Sequence, residues 1–261
     1  MRNKKNKSKK YKKTILNLIL YIILFSILIY SGIKIFKWYK DKTNNNKIAE
    51  QIKSTVIVEE ENGDEYTVDF NKLKEQNNET IAWLKVNNTN VEYPVVKGTN
   101  NSFYLNHSFD KSNNSAGWIF ADYRNKFDNT DKNIVIYGHN MRDGSMFGSM
   151  LNILNAKWYE NEENTNITLY TENEKCMYKV FSVYKIENED YYIKTEFKND
   201  NEFEEFVKNL KKRSIKDFNV DISKDDNILT LSTCANNNKY RIVLHAINIV
   251  LELNKTEIEQ L

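Results

Sequence analysis

The chain has 261 residues, 40% of them hydrophobic, which is enough for a membrane anchor and one domain of ordinary size. Its net charge of +2 is uneven, because residues 1–42 carry 12 Lys and Arg and one acidic residue, whereas residues 43–261 carry 26 basic and 35 acidic residues. An acidic domain without a basic stripe argues against nucleic-acid binding, and two cysteines are too few for a disulfide scaffold.

The N-terminal segment has the pattern of a membrane anchor. Met1–Lys13 carries eight Lys and Arg and no acid, and the next 20 residues, Thr14–Ile33, contain no charged side chain. At about 1.5 Å per residue this run spans about 30 Å, the thickness of the hydrocarbon core. Lysines and aromatic residues typical of the membrane interface follow, namely Lys34, Lys37, Trp38 and Tyr39.

A cleaved signal peptide is the alternative to an anchor. Its apolar region would be shorter and would precede a small-residue cleavage site, and no A-x-A pattern follows this run. The sequence therefore predicts an uncleaved, single-pass anchor at residues 14–36 and a cytoplasmic basic tail at residues 1–13. Residues from about 40 onward are then expected outside the cell membrane.

Residues 37–68 are predicted to be a linker and an N-terminal helical segment. The polar stretch Asp41–Asn46 is interpreted as a short linker, and short helices are expected over Lys47–Lys53 and Val68–Gln76.

From Thr80 onward the pattern changes to short runs rich in Val, Ile, Tyr and Thr, separated by Asn, Asp and Gly. The predicted strands are Ile81–Val86, Val91–Val96, Gly117–Phe120, Asn133–Tyr137, Asn166–Tyr170, Cys176–Ile186, Asn227–Cys234 and Tyr240–Leu251. This rhythm favours an antiparallel barrel or sandwich.

One segment, Asp200–Arg213, breaks the β rhythm. Its apolar residues Phe203, Phe206, Val207 and Leu210 share one helical face. Acidic residues lie early and basic residues late, as suits the helix dipole, and Asp200 is the expected N-cap. A helix of about 13 residues is therefore predicted before the last two strands.

Three residues that could take part in catalysis lie at predicted strand ends beside polar loops. Cys234 ends one strand, Arg241 lies near the start of the next, and His139 ends an earlier strand. A thiolate is a strong nucleophile toward an amide carbonyl, a histidine can protonate a leaving amine, and a guanidinium can stabilise an oxyanion. Rigid β scaffolds often carry functional groups at such positions.

Each of these residues also has an ordinary interpretation. Taken singly, a cysteine at a strand end is more often a small core residue, and an arginine there is more often a solvated edge charge. A disulfide between Cys176 and Cys234 stays open at this point. Three separated histidines and two cysteines do not have the spacing of a zinc site.

Several motifs together resemble the sortase family. Thr230–Cys234 (TLSTC), with Arg241 downstream, resembles the sortase signature T-L-x-T-C followed by Arg. Tyr137–Phe147 (YGHNMRDGSMF) is similar to the histidine region of class B sortases, as is Asn101–Asn125 with its FYLNH and GWIFADYRN stretches. The Asp200–Arg213 helix occupies the place of the helix that class B sortases carry before the nucleophile strand.

The resemblance implies a mainly β fold, an eight-stranded sortase-type barrel over residues 69–253 with N-terminal helices, the inserted helix and a C-terminal tail at 254–261. It implies a cysteine transpeptidase of Gram-positive bacteria that anchors secreted proteins to the cell wall. Such an enzyme cleaves a sorting signal after Thr and forms a thioester, here on Cys234. It then transfers the protein to an amine of a peptidoglycan precursor of the lipid II type.

In that scheme His139 is the general acid and base, and Arg241 stabilises the transition state or holds the substrate backbone. The resemblance assigns the substrate groove to Asn101, Leu105, Tyr192, Ile193 and Ser232. The implied partners are secreted proteins that carry sorting signals, the precursor amine and the cytoplasmic membrane. No cofactor and no metal is implied.

Alternatives remain at this point: a class B-like pilin-joining sortase, a plain hydrolase, or a tethered, non-catalytic peptide-binding barrel. The sorting motif is expected to be Asn-Pro-x-Thr-x or a variant of it.

Overall fold

The computed structural model describes residues 2–59, 66–187, 189–235 and 239–249 of the chain. The predicted tail at 254–261 and the middle of the polar turn after Cys234 lie outside these residues. The chain divides into two compact units, residues 1–44 and 45–261.

The first helix is α1 (Arg2–Val56). Within it lies an 18-residue stretch with a mean hydropathy of 2.3, long and apolar enough to cross a membrane. Asp41–Asn46, predicted to be a linker, are helical, and the boundary between the two units falls among them. The separate helix expected over Lys47–Lys53 is the C-terminal end of α1.

Tertiary contacts hold Asn45, the first residue of the second unit, in helical conformation. Its side chain accepts hydrogen bonds from Ser108 Oγ at 2.6 Å and Asn114 Nδ2 at 2.7 Å, and donates one to the Gly117 carbonyl at 2.7 Å. These tertiary contacts outweigh the weak helix propensity of asparagine. The end of α1 is thereby joined to the loop that precedes the site described below.

A two-stranded hairpin and a short helix follow. The antiparallel strands β1 (Ile57–Glu59) and β2 (Tyr66–Val68) pair with each other. The helix α2 (Phe70–Gln76) begins after Asp69, whose side chain caps it by accepting from the backbone N–H of Lys72 at 3.1 Å.

The main body of the molecule is a closed eight-stranded barrel. Its strands are β3 (Thr80–Val86), β4 (Glu92–Val96), β5 (Phe120–Ala121), β6 (Asn133–His139), β7 (Asn166–Tyr170), β8 (Lys175–Glu187), β9 (Ile228–Ala235) and β10 (Tyr240–Asn248). Around the barrel the order is β10, β8, β7, β3, β4, β5, β6, β9. Seven of the strands lie where the sequence pattern predicts them, whereas β5 shares only Phe120 with the predicted strand Gly117–Phe120. The closed barrel replaces the sandwich alternative.

Two of the strand pairings are parallel, so the prediction of an antiparallel sheet was wrong for them. These pairs are β4 with β5 and β6 with β9. Parallel neighbours need a long crossover connection. Residues 97–119 form one such connection, and residues 140–227 form the other.

The crossover segments contain the remaining helices. They are α3 (Ala156–Tyr159), α4 (Asp200–Arg213) and four 3-10 turns at Phe103–Leu105, Gly148–Leu154, Glu162–Thr165 and Tyr191–Ile193. The predicted helix Asp200–Arg213 is confirmed, but its N-cap is Asn199, whose side chain accepts from the N–H of Glu202 at 3.0 Å, and not Asp200.

Apolar side chains fill two regions. The larger cluster contains residues of the barrel strands such as Trp83, Leu84 and Leu244, none of which is exposed. A second cluster lies outside the barrel, where α4 packs Phe203 and Leu210 against β8 and β10. Because both faces of β10 are covered, its six residues from 242 to 247 are all buried. Packing on both faces of β10 therefore stabilises one of the strands that carry the candidate site.

Candidate active site

The backbone register brings the three predicted catalytic residues to neighbouring positions. β9 lies between β6 and β10, and Cys234 is the register partner of His139 on one side and of Arg241 on the other. Hydrogen-bonded strands lie about 4.8 Å apart, so the three backbones stand side by side at one edge of the barrel. The structure describes Cys234 through this backbone pairing.

The ring of His139 is held by a backbone carbonyl. Its Nε2–H donates to the carbonyl oxygen of Leu105 at 2.7 Å, and because a carbonyl can only accept, this bond places the proton on Nε2. Gly117 provides the space for this contact. It has a φ of +58°, and a Cβ there would lie 2.9 Å from His139 Cδ2 and 2.5 Å from the carbonyl oxygen of Tyr104.

His139 and Arg241 face a single open pocket. All five residues that the resemblance assigns to the substrate groove line this pocket together with them, namely Asn101, Leu105, Tyr192, Ile193 and Ser232. The sequence did not single out the other lining residues, which are Phe120, Tyr137, Gly138, Glu189 and Asp190. Tyr137 could have been found from the two-residue strand period, since it lies two positions before His139 on β6.

A buried carboxylate organises one side of the pocket. Asp122 is fully buried and accepts hydrogen bonds from Asn101 Nδ2 at 2.9 Å and from Tyr137 Oη at 2.8 Å. Arg124 binds it in a two-pronged contact, with Nε at 2.8 Å and a terminal nitrogen at 2.7 Å. The sequence did not predict any hydrogen-bond partner for Asp122, whereas the structure shows three side chains that donate to it.

These contacts also determine the charge of Asp122. Burial alone would raise the pKa of this carboxyl, but the hydrogen bonds from Arg124, Tyr137 and Asn101 lower the pKa below its ordinary value. Asp122 is therefore ionised at neutral pH. Arg124 also donates to the carbonyl of Ile193 at 2.9 Å, so the carboxylate is linked to the opposite wall of the pocket.

The 3-10 turn Tyr191–Ile193 forms that opposite wall. The Tyr192 side chain is buried, and its hydroxyl shares a hydrogen bond of 2.9 Å with Ser232 Oγ on β9. Two predicted substrate residues on different elements are thus joined directly, two positions before Cys234.

The other histidines and the second cysteine lie away from the pocket lining. The His107 ring stacks on Phe103 at 3.9 Å, with its Nδ1 2.8 Å from the Phe103 carbonyl. His245 is fully buried beneath α4. Cys176 is a buried free thiol, so it forms no disulfide with Cys234. Among the described residues, no group of three or more His, Cys, Asp and Glu is placed to hold a metal ion.

The fold and the site define a closed β-barrel protein in which a histidine, a cysteine and an arginine are register neighbours on three adjacent strands. A family model described as Sortase domain matches residues 84–249. Sortase B of Listeria monocytogenes is 32% identical over 234 residues, which is 87% of this chain and 93% of that protein.

Solved structures agree with this match. Sortase B of Clostridium perfringens aligns with a TM-score of 0.65 at 38% identity, over 69% of this chain and 99% of that one. A Staphylococcus aureus sortase B–substrate complex aligns with a TM-score of 0.69 at 29% identity, over 82% of this chain and 98% of that one. The chain belongs to the sortase family and is most like its class B members, which are cysteine transpeptidases.

Proposed function

We propose that this sortase cleaves a C-terminal sorting signal after Thr, carries the released protein as a thioester on Cys234, and transfers it to an amine of a peptidoglycan precursor. The observation that carries the proposal is the register of β9, which puts Cys234 between His139 and Arg241. A nucleophile, a proton carrier and a fixed positive charge are the groups that acyl transfer between amines requires.

In the first half-reaction the Cys234 thiolate attacks the carbonyl carbon of the signal's Thr. The oxygen of the tetrahedral intermediate becomes an oxyanion, and the Arg241 guanidinium, which stays charged, donates hydrogen bonds to it. His139 gives a proton to the leaving amine as the C–N bond breaks. The products are a thioester on Cys234 and the free C-terminal fragment.

In the second half-reaction the acceptor amine attacks the thioester, and its proton passes to His139. The C–S bond breaks, the thiolate returns, and a new amide joins the protein to the acceptor. A free cysteine has a pKa of about 8.5, so only a few per cent is thiolate at neutral pH. Activity is therefore expected to rise with pH as more of the thiol becomes thiolate.

The pocket is the proposed site for the sorting signal. Asn101, Leu105, Tyr192, Ile193 and Ser232 line it beside His139 and Arg241. One solved relative, sortase B of S. aureus, is described as a complex with its substrate. By class B similarity we expect an Asn-Pro-x-Thr-x signal.

We also propose the placement of the molecule in the cell. The apolar part of α1 spans the cytoplasmic membrane, the basic N-terminus lies inside, and the barrel lies outside, where secreted proteins and cell-wall precursors meet it.

The test is a peptide screen with the full chain in detergent micelles. Internally quenched Asn-Pro-x-Thr-x peptides are offered with and without a triglycine acceptor, and the products are identified by mass spectrometry. We expect cleavage after Thr, a thioester on Cys234 and a ligated product. Cys234→Ala is expected to abolish all three, whereas the matched control Cys176→Ala keeps them.

Different outcomes separate the alternatives. Cleavage without a ligated product indicates a hydrolase. Peptide binding without a thioester indicates a non-catalytic barrel. Full activity of Cys234→Ala contradicts the proposal.

A further inference from the structure

A chain of buried polar side chains lies beneath the pocket wall formed by the Tyr191–Ile193 turn. It starts at Asn133 on β6, whose Nδ2 donates to the carbonyls of Tyr192 at 3.2 Å and Lys194 at 2.8 Å. Asn133 Oδ1 accepts from Thr230 Oγ1 on β9 at 2.7 Å. The turn is thus held through its backbone by a side chain that belongs to the barrel.

Which group donates in the hydrogen bonds between Thr230 and His245 follows from the number of protons that each side chain carries. Thr230 has one hydroxyl proton, and it goes to Asn133, since that oxygen can only accept. The contact of 2.8 Å between Thr230 Oγ1 and His245 Nδ1 therefore has His245 as the donor. His245 carries its proton on Nδ1, which leaves Nε2 as an acceptor.

The chain then returns to the turn at its other end. His245 Nε2 accepts from the Tyr184 hydroxyl at 2.9 Å, and that hydroxyl accepts from the Tyr191 hydroxyl at 2.8 Å. His245 is the midpoint of an unbroken path that begins at the carbonyls of Tyr192 and Lys194 and ends at the side chain of Tyr191.

The surroundings keep His245 neutral. Its ring is fully buried and stacks on Phe181, with ring centroids 5.9 Å apart. Burial lowers the pKa of His245 to about 3. The pairing of β8 with β10 also shifts register between His245 and Ala246, and such irregularities often re-aim side chains beside active sites.

We propose that His245 is a positioning residue that fixes the Tyr191–Ile193 turn, and through it Tyr192 and Ile193, in the geometry that binds the sorting signal. This inference rests on the proposed function for the role of the turn. A buried polar network stabilises a fold less well than apolar packing unless every member is bonded, but when fully bonded it specifies one arrangement. Here all of its members are bonded.

The decisive variant is His245→Phe, which keeps an aromatic ring of similar size against Phe181 but removes both hydrogen bonds. Phe181→Leu is the matched control, because it removes the ring that stacks on His245 but none of the hydrogen bonds of the polar chain. Tyr191→Phe removes the hydrogen bond at the half-buried end of the chain.

Two readouts are measured on the full chain in detergent micelles. Hydrogen exchange reports how firmly residues 189–195 are held, independently of activity. Steady-state kinetics use the Asn-Pro-x-Thr-x peptide that the wild type cleaves fastest in the screen above.

For His245→Phe we expect exchange in the turn about tenfold faster than in the wild type. We also expect KM to rise about fivefold with kcat within about twofold, since the turn binds substrate and takes no part in bond making. Tyr191→Phe is expected to change both readouts in the same direction, whereas Phe181→Leu lowers the melting temperature and changes neither.

Unchanged exchange in the turn overturns the inference, and so does faster exchange with an unchanged KM. If His245→Phe does not fold, Tyr191→Phe decides by the same two readouts. If the wild type cleaves no peptide, the proposed function fails, and the exchange measurement alone decides whether His245 holds the turn.

Discussion

The two cysteines of the chain occupy different chemical environments. Cys176 pairs with Leu169 in the sheet and is buried, and burial together with the nearby Glu174 raises the pKa of its thiol to about 12. A thiol with that pKa has almost no thiolate at neutral pH. We therefore expect iodoacetamide at neutral pH to alkylate Cys234 and spare Cys176.

Peptide mapping by mass spectrometry measures the labelling of each cysteine over time. Unfolding the protein in guanidinium chloride is the control, and it should make both thiols react. Equal labelling of the two cysteines in the folded protein would contradict this assignment.

The buried His245 gives the protein a specific sensitivity to acid. Its folded pKa of about 3 lies below the ordinary 6.5, so the unfolded chain takes up a proton between these values and the folded chain does not. Stability from this group is complete above 6.5 and falls as the pH drops toward 3. The slope is about 1.4 kcal/mol per pH unit at most.

The difference in unfolding free energy between wild type and His245→Phe isolates this contribution, because all other groups titrate alike in both. From pH 6 to pH 4 we expect the wild type to lose about 2 kcal/mol or more of unfolding free energy relative to His245→Phe, measured by urea titrations. Parallel curves for the two proteins would show that His245 is protonated in the folded state.

At the residue scale, the sequence predicted those candidate catalytic residues whose position at a strand end is visible in the local hydrophobic pattern. His139 and Cys234 end strands and Arg241 lies beside a turn, and strand ends are visible in the pattern. Asp122 could not be interpreted in this way. Its partners Asn101, Arg124 and Tyr137 lie on separate segments, and only the closed barrel brings them together.

At the scale of elements, the Asp122 carboxylate joins three parts of the site: the loop after β4, strand β6 and, through Arg124, the turn before α4. Asp122→Asn would replace an acceptor oxygen by an NH2 group that faces donors. We expect a loss of about 2 kcal/mol of unfolding free energy, because a buried polar group is left unmatched. We also expect a lower kcat/KM for sorting-signal peptides.

Asp128→Asn is the matched control, since Asp128 is an exposed acceptor in the neighbouring turn. Its effect on stability should stay within about 0.5 kcal/mol. Urea titrations and peptide cleavage measure both variants. An Asp122→Asn protein as stable and active as the Asp128→Asn protein would show that the carboxylate does not organise the pocket.

The elements themselves were predictable to different degrees. Eight β runs and the amphipathic α4 follow from hydrophobic periodicity, which is a property of each segment alone. The parallel pairing of β6 with β9 was not predictable, because a strand's neighbour depends on the path of residues 140–227. The helical state of Asp41–Asn46 likewise depends on partners of Asn45 that lie more than 60 residues away.

At the scale of the whole molecule, charge and hydropathy are segregated along the chain. Residues 1–42 carry 12 Lys and Arg, and the remainder has a net charge of −9. Basic residues beside an apolar span favour the cytoplasmic side. The large apolar side chains of α1 from Ile15 to Phe36 are exposed in the structure, and this stretch is long and apolar enough to cross a membrane.

This asymmetry leads to a prediction about orientation. In protoplasts of a Gram-positive host, external protease should digest the barrel and leave an N-terminal epitope tag intact. Replacing the eight basic residues before Thr14 by Gln should produce a fraction of inverted molecules, because the remaining Lys34, Lys37, Lys40 and Lys42 then favour the opposite side. Replacing those four lysines instead is the control and should leave the orientation unchanged. A tag that is digested in the unaltered protein would place the barrel inside the cell, away from any cell-wall acceptor.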